Sequence, residues 1–281
     1  MREIVIESFG KINLALDVLY KREDNYHEIN TIMQEISLRD RLTFTDEKED
    51  IIIESEDKEM PLDSTNLVYQ AWEKMKSTYG INRGLRVKIE KNIPIAAGLA
   101  GGSSNCAATL KAINQIWDLK VSQKELMTIG KSLGADIPFC ILGGTVQAKG
   151  IGEDLTTLRP FKDRLILLAN PGFGISTEYA YKQVDLNANY YDIDTIVKSI
   201  EEDNTYQVAS KLKNKLEESI IKEHPIIDEI KTIMIQNGAL GSLMSGSGPT
   251  VFGIFDNQEK LETAKTKLSQ SIEKVYSCKT I

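Results

Sequence analysis

The chain has 281 residues, 41% hydrophobic and 27% charged, enough for a sizeable core in one large domain or two ordinary ones and too apolar for global disorder. Acidic side chains outnumber basic ones by 41 to 34, and no basic block offsets the net charge of −7, so a surface built to neutralise a nucleic-acid backbone is excluded. Three scattered cysteines and two histidines argue against a disulfide framework and a histidine-based metal centre; with no long apolar run and no signal-like N-terminus, they point to a reduced, cytoplasmic protein.

Glu3 to Ser8 alternates apolar and polar residues and predicts a strand. Phe9-Gly10 is expected to interrupt it before a second strand, Lys11 to Leu19, on which Lys11 and Asn13 share a face. Asp24-Asn25 signals a turn, and Glu28 to Ile36, Arg41 to Thr45 and Asp50 to Glu54 each read as strands. Asp63-Ser64-Thr65 offers caps for a helix through Lys76 that carries Leu67, Ala71, Trp72 and Met75 on one side. Leu85 to Lys91 is a strand and Asn105 to Trp117 a helix; a helix capped by Ser122 ends near Leu133, and Gly134 to Pro138 stops it. A short strand, Thr145 to Lys149, closes the first domain, which is expected to end near Leu158.

The second domain, from Arg159, predicts a strand at Arg164 to Ala169 and a helix from Ser176-Thr177 through Gln183. Three helices follow, at about Ile193 to Glu202, Tyr206 to Ile221 and Pro225 to Asn237. A short apolar piece, Leu240 to Met244, leads into a glycine-serine loop, Ser245 to Gly248. Thr250 to Phe255 is a strand, Glu259 to Gln270 a helix and Lys274 to Lys279 a last strand, so the order is that of an α+β protein.

Between the Leu85 strand and the Asn105 helix lies Pro94-Ile95-Ala96-Ala97-Gly98-Leu99-Ala100-Gly101-Gly102-Ser103-Ser104. Gly98, Gly101 and Gly102 let a backbone turn sharply and approach a ligand, and Ser103 and Ser104 add hydroxyls at the helix start. A glycine-rich loop feeding a helix N-terminus is an anion cradle, and phosphate is its usual anion. The loop lacks the Gly-Lys-Ser/Thr close of a Walker A loop and the Gly-x-Gly-x-x-Gly spacing of a dinucleotide site. From the residues alone, Lys11 is a surface lysine or a site lysine, and Asp136 a cap, an ion-pair member or a catalytic carboxylate.

Three stretches resemble the GHMP kinase superfamily in order and spacing: Gly10-Lys11-Ile12-Asn13-Leu14, the Pro94–Ser104 loop, and Met244-Ser245-Gly246-Ser247-Gly248-Pro249-Thr250-Val251-Phe252. Lys21 to Glu28, with its Tyr26-His27, and Gly134 to Phe139 resemble the members that act on a cytidine-diphosphate-linked methylerythritol in non-mevalonate isoprenoid biosynthesis. The resemblance covers essentially the whole chain. It implies a two-domain α+β fold, with a ribosomal-protein-like N-terminal domain (1–158) and a ferredoxin-like C-terminal domain (159–281), and transfer of phosphate from ATP, with Mg²⁺, to an alcohol.

The same resemblance implies a role for each matching residue. Lys11 and Asp136 form the catalytic pair, with Asp136 taking the hydroxyl proton. Pro94, Ile95, Ala96, Ala97, Gly98, Leu99, Ala100, Gly101, Gly102, Ser103 and Ser104 wrap the phosphates, and Asn66 lies near adenine. Tyr26 and Tyr181 sandwich the cytosine, His27 bonds its edge, and Asn13 and Thr177 face the same substrate; no metal-ligating side chain is implied. Because Tyr26 and Tyr181 fall in different expected domains, a shared base implies a cleft between them. The partners are small molecules, neither nucleic acid nor membrane, and the chain is a monomer or weak homodimer.

Phe9-Gly10 stands where the superfamily usually has Pro-Ala, Asn25 where Gly usually precedes Tyr-His, and Asn170 where a lysine is common. Asn tolerates a left-handed turn next best after Gly, so that turn is expected to survive. A kinase of different substrate, an idle nucleotide-binding protein and an RNA-contacting module are the alternatives. Tyr26-His27, the retained Lys11 and Asp136, and the acidic charge argue against them in that order.

Overall fold

The computed structural model describes residues 3–186 and 188–281. It opens with two long strands, β1 (Glu3–Lys21) and β2 (His27–Glu47), then β3 (Ile51–Ser55), α1 (Leu67–Tyr79), β4 (Gly84–Glu90), α2 (Gly101–Ile116), α3 (Gln123–Lys131) and α4 (Ile137–Leu142). There follow β5 (Thr145–Gly150), β6 (Asp154–Thr157), β7 (Leu165–Asn170), α5 (Thr177–Lys182), α6 (Ile193–Glu201), α7 (Thr205–Ser210), β8 (Lys213–Asn214) and α8 (Glu217–Glu223). The last are α9 (Ile226–Gln236), β9 (Gly241–Met244), β10 (Val251–Phe255), α10 (Gln258–Leu268) and β11 (Lys274–Lys279). The fold is mixed α+β, as the order of patterns implied.

Two compact units interleave along the chain. One takes the chain up to Gly10, Leu38–Ile95 and Ala100–Gly143; the other takes Lys11–Ser37, Ala96–Leu99 and Gly144–Ile281.

In the first unit β4 runs antiparallel to the end of β2, from Arg41 opposite Glu90 to Glu47 opposite Gly84, and parallel to β3. Asn66 caps α1 by accepting from the Val68 N–H, and Gly80, at φ 63, ends it in the left-handed region. Ser122 and Glu125 form a reciprocal capping box at the start of α3. Helix α2 packs on α1, α3 and α4, and Val68, Trp72, Met75, Leu110, Ile113 and Ile137 of these helices are buried.

In the second unit β5 pairs antiparallel with the start of β2, Ile29 opposite Gly150, and with β6. A separate antiparallel sheet has the order β11-β7-β10-β9, and α9 and α10 pack against it. Its core joins Leu167, Ala169, Met234, Phe255 and Leu268 to Leu16, Val18 and Ile29 from β1 and β2.

The structure departs from the sequence expectations at several places, among them α4 and β6, which had no expected counterpart. Phe9-Gly10 does not interrupt β1: Gly10 is buried inside the strand, and the next N–H, of Lys11, donates to Leu99 O (3.0 Å). The two strands expected between Glu28 and Thr45 are one, β2, because polar Asp40 between them has partners for its carboxylate. The helix expected from Tyr206 to Ile221 is α7, a two-residue strand and α8, because Lys213 and Asn214 pair in parallel with Ala15 and Leu16. Helix α2 starts at Gly101, four residues before the expected Asn105.

Candidate active site

The glycine-rich stretch owes its shape to alternation. Ala96 (φ 50), Gly98 (φ 74) and Ala100 (φ 56) take left-handed backbone, which costs a non-glycine residue about 1–2 kcal/mol. Alternating hands along a short segment turns successive N–H groups to one side, the geometry of an anion nest. Gly98 alone among the three loop glycines has positive φ, and a side chain there would run into the carbonyl oxygen of Ser245 and approach Gly248 N to 3.0 Å.

Gly101 and Gly102 have a different use, as the first residues of α2. A Cβ on Gly101 would meet Ile93 Cγ2 at 2.9 Å and Lys91 Nζ at 3.0 Å, so its bareness serves packing. One on Gly102 would lie 3.7 Å from Leu67 Cδ1, an ordinary contact, and Gly102 is exposed. Ala100 provides no side-chain cap for α2, so the amides of the first turn keep the partial positive charge of a helix start. Neither serine is a cap. Ser104 Oγ donates to Phe9 O (2.6 Å) and accepts from Ser8 Oγ (2.8 Å), which ties the helix start to β1.

A buried ion pair supports the loop from below. Asp40, fully buried, accepts from Lys91 Nζ (2.6 Å), Asn92 N (2.7 Å) and Ile93 N (2.8 Å). Burial lowers the Lys91 ammonium from its ordinary pKa, and Asp40 opposes that shift. Nothing in the sequence pattern singled out this pair; its only local sign is an aspartate inside a strand-forming run.

Asn66 is buried, and both ends of its amide work for the fold: Oδ1 caps α1 and Nδ2 donates to Pro61 O (2.6 Å). Asp136 occupies the N-cap position of α4 without a side-chain cap hydrogen bond, so its carboxylate does not cap that helix. It belongs to the first unit, and Lys11 to the second.

In the second unit the structure brings several predicted residues together. Lys11 is buried, and its Nζ donates to Asn13 Oδ1 (2.7 Å) and Gly98 O (3.3 Å). Asn13 Nδ2 donates to Thr31 Oγ1 (2.8 Å), which donates to Ala15 O (2.6 Å), fixing the Asn13 amide. Gly246 closes over this group: a Cβ there would lie 3.2 Å from Asn13 Oδ1, Gly98 O and Lys11 Nζ. Ser245 Oγ donates to Gly98 O (3.0 Å), and Thr177 Oγ1, at the start of α5, is 3.4 Å from Ser247 Oγ. Sequence reasoning missed Thr31, whose hydroxyl carries no local signature inside a β pattern.

Asn25 does take the left-handed turn (φ 67) before Tyr26. The His27 and Tyr181 rings lie 5.2 Å apart at 31°, while Tyr26 is 59% exposed. Partial burial, and then the Lys21 charge, push the His27 pKa below its ordinary value, so His27 is neutral at neutral pH. Tyr26, His27, Thr177 and Tyr181 all belong to one unit, so their use on one ligand does not require a cleft between domains. Asn170, the departure from lysine, donates to Thr250 Oγ1 (2.9 Å) and accepts from Gly172 N (2.9 Å), holding the turn that precedes α5.

The second unit thus holds a left-handed loop segment, a buried lysine and the His27–Tyr181 ring pair, and the first unit holds the uncapped start of α2. Comparison with known proteins gives the family. Residues 66–144 match the model of the GHMP kinases N terminal domain, and residues 193–274 that of GHMP kinases C terminal. The 4-diphosphocytidyl-2-C-methyl-D-erythritol kinase of Alkaliphilus metalliredigens is 43% identical over 272 residues, 96% of this chain and 94% of that protein. That of Clostridium novyi is 44% identical over 276 residues, 98% of this chain and 99% of that protein. A crystal structure of 4-(cytidine 5'-diphospho)-2C-methyl-D-erythritol kinase superposes with a TM-score of 0.84 at 28% identity, covering 99% of both chains. The chain therefore belongs to the 4-diphosphocytidyl-2-C-methyl-D-erythritol kinase family of the GHMP kinases.

Proposed function

We propose that this protein phosphorylates a hydroxyl of 4-diphosphocytidyl-2-C-methyl-D-erythritol at the expense of ATP, giving the 2-phosphate in non-mevalonate isoprenoid biosynthesis. The observation that carries the substrate assignment is the His27–Tyr181 ring pair beside exposed Tyr26, which offers flat faces and a polar edge to a cytosine. Tyr26 and Tyr181 hold the ring, His27 reads its edge, and Asn13 and Thr177 bind the rest of the acceptor. Asp136 accepts the proton of the attacking hydroxyl, and Lys11 offsets charge that develops during transfer.

Residues 94–104 hold the nucleotide phosphates through backbone N–H groups, and the start of α1 at Asn66 lies toward adenine. ATP supplies the phosphoryl group, and a magnesium ion carried on its phosphates offsets their charge. Among the described residues no three His, Cys, Asp or Glu side chains cluster. The three cysteines are buried, and no helix among the described residues is long and apolar enough to cross a membrane. We take the compartment to be the cytoplasm and the chain to be a monomer or weak homodimer, which sedimentation checks.

The test is phosphate transfer with a panel of acceptors. ATP consumption is expected with the cytidine-linked methylerythritol and not with free methylerythritol, homoserine or mevalonate. Asp136→Asn is expected to lower turnover about 10²–10⁴-fold, the usual worth of a positioned base, while ATP binds within about twofold of wild type. Equal use of a free polyol removes the substrate assignment; more than a tenth of normal turnover in Asp136→Asn removes the base.

A further inference from the structure

The turn that closes over Lys11 has little rigidity of its own. Ser245 to Gly248 carries glycines at φ 56 (Gly246) and φ 80 (Gly248), which resist distortion least of all residues. Its internal tie is one bond, Gly248 N to Ser245 O (2.9 Å), and Ser245 N donates back to Thr250 O (2.8 Å). Yet even one added Cβ on Gly246 would lie 3.2 Å from Lys11 Nζ, Asn13 Oδ1 and Gly98 O, so a small shift of the turn changes the space around them. Something outside the turn has to set its height.

That something is the junction between β8 and α8. Asn214, 3% exposed, donates through Nδ2 to both Met244 O (2.8 Å) and Gly246 O (2.8 Å), gripping the residue before the turn and the second residue within it. Its Oδ1 accepts from Leu216 N (3.0 Å), so the amide cannot rotate. Glu217 accepts from Met244 N (2.8 Å) through one oxygen and from Lys231 Nζ (2.7 Å) through the other. Both polar groups of the Met244 peptide are therefore held from the same short segment. Asn214 pairs with Leu16 on β1, the strand that carries Lys11 and Asn13, so strand register ties the clamp to the lysine it serves.

We propose that Asn214 and Glu217 are positioning residues that set the Ser245–Gly248 turn over Lys11 and Gly98, and through it the affinity for the nucleotide phosphates. This rests on the kinase reading above, and neither residue touches the reacting groups.

The test begins with wild-type binding of ATP and of cytidine 5'-diphosphate. Absence of ATP binding in the wild type defeats the kinase reading itself, before any variant is made. Asn214→Asp keeps the size and the bond from Leu216 but sets a carboxylate against two carbonyl oxygens. Glu217→Gln keeps an acceptor for Met244 and loses the charge pair. Well below their melting temperatures, Asn214→Asp is expected to bind ATP tenfold or more weakly and Glu217→Gln several-fold more weakly, with cytidine 5'-diphosphate affinity within twofold in both. Folded variants with normal ATP affinity overturn the proposal, as does an equal loss for both ligands, which marks a merely structural role.

Should neither variant fold, linkage supplies the readout in the wild type: a clamp that favours ATP must itself be favoured by ATP. Hydrogen exchange at the Met244 and Leu216 amides is expected to slow on adding ATP beyond the gain shared by the rest of the unit. No extra protection there overturns the proposal equally well.

Discussion

At the scale of single residues, the pair His27 and Tyr181 joins two uses that the sequence presented as rivals. Tyr181 packs against the core of the second unit and also meets the His27 ring, so core packing does not exclude the proposed site role. Tyr181→Ala therefore mixes lost packing with lost stacking, and exposed Tyr26 is the cleaner probe. Tyr26→Ala is expected to leave the melting temperature unchanged and to weaken cytidine 5'-diphosphate by about 1–3 kcal/mol, the usual worth of stacking on a base. Calorimetric titration with that ligand checks it, and normal affinity would remove Tyr26 from the base site. His27 makes a second prediction. Its folded pKa is lowered, so on acidification the unfolded chain binds a proton first, near the ordinary value of about 6.5. Stability should be flat above that pH and fall below it until the folded pKa is passed. Denaturant melts across pH 5–7.5 (roughly the range where histidine titrates) should show this slope in wild type and a reduced one in His27→Gln.

At the scale of elements, the glycine-rich loop divides its labour among residues that look alike in sequence. Gly98 serves backbone geometry, Gly101 serves packing of α2 on Ile93 and Lys91, and Gly102 serves neither strictly. Gly101→Val should thus lower stability first, because a branched side chain has no room against Ile93, and its effect on ATP is confounded with unfolding. Gly102→Ala is the informative change. It suits a helical position, where Gly→Ala typically stabilises by about 0.4–1 kcal/mol. A raised or unchanged melting temperature together with weaker ATP binding would show that phosphate approaches the helix start closely. Unchanged ATP affinity would mean that phosphate stays away from this residue.

At the scale of the molecule, the second unit is not a C-terminal segment but three pieces of chain. Leu16, Val18 and Ile29 lie in the same core as Leu167 and Phe255, although more than a hundred positions separate them. Removing even one large buried aliphatic side chain costs about 2–5 kcal/mol, against a typical total stability of about 5–15 kcal/mol. A fragment of residues 159–281 lacks all three, and with them the partner of β8 on β1. It is expected to show no cooperative unfolding transition by circular dichroism, while the full chain does. A fragment that melts cooperatively would mean that its helices and the β11-β7-β10-β9 sheet close a core without help.

What the sequence determined by itself was whatever short-range physics controls. Period and propensity located β4, β7, β10 and β11, and a capping residue located α3, since neighbours within a turn or a pleat decide those; α1 is capped by Asn66 and not by the expected Asp63-Ser64-Thr65. The glycine-rich stretch stood out because unusual chemistry is packed into a few adjacent positions, whereas Tyr26, His27 and Asp136 were marked only by the family resemblance. Tertiary structure decided the rest. A helix-like stretch became β8 because Lys213 and Asn214 found β1, almost two hundred residues earlier, and that pairing placed Asn214 and Glu217 on the Ser245–Gly248 turn. Gly10 stayed inside a continuous strand, and Gly101 proved a packing glycine, for the same reason. Backbone partners and side-chain neighbours distant in sequence leave no periodic trace, so they become visible only when the chain is folded.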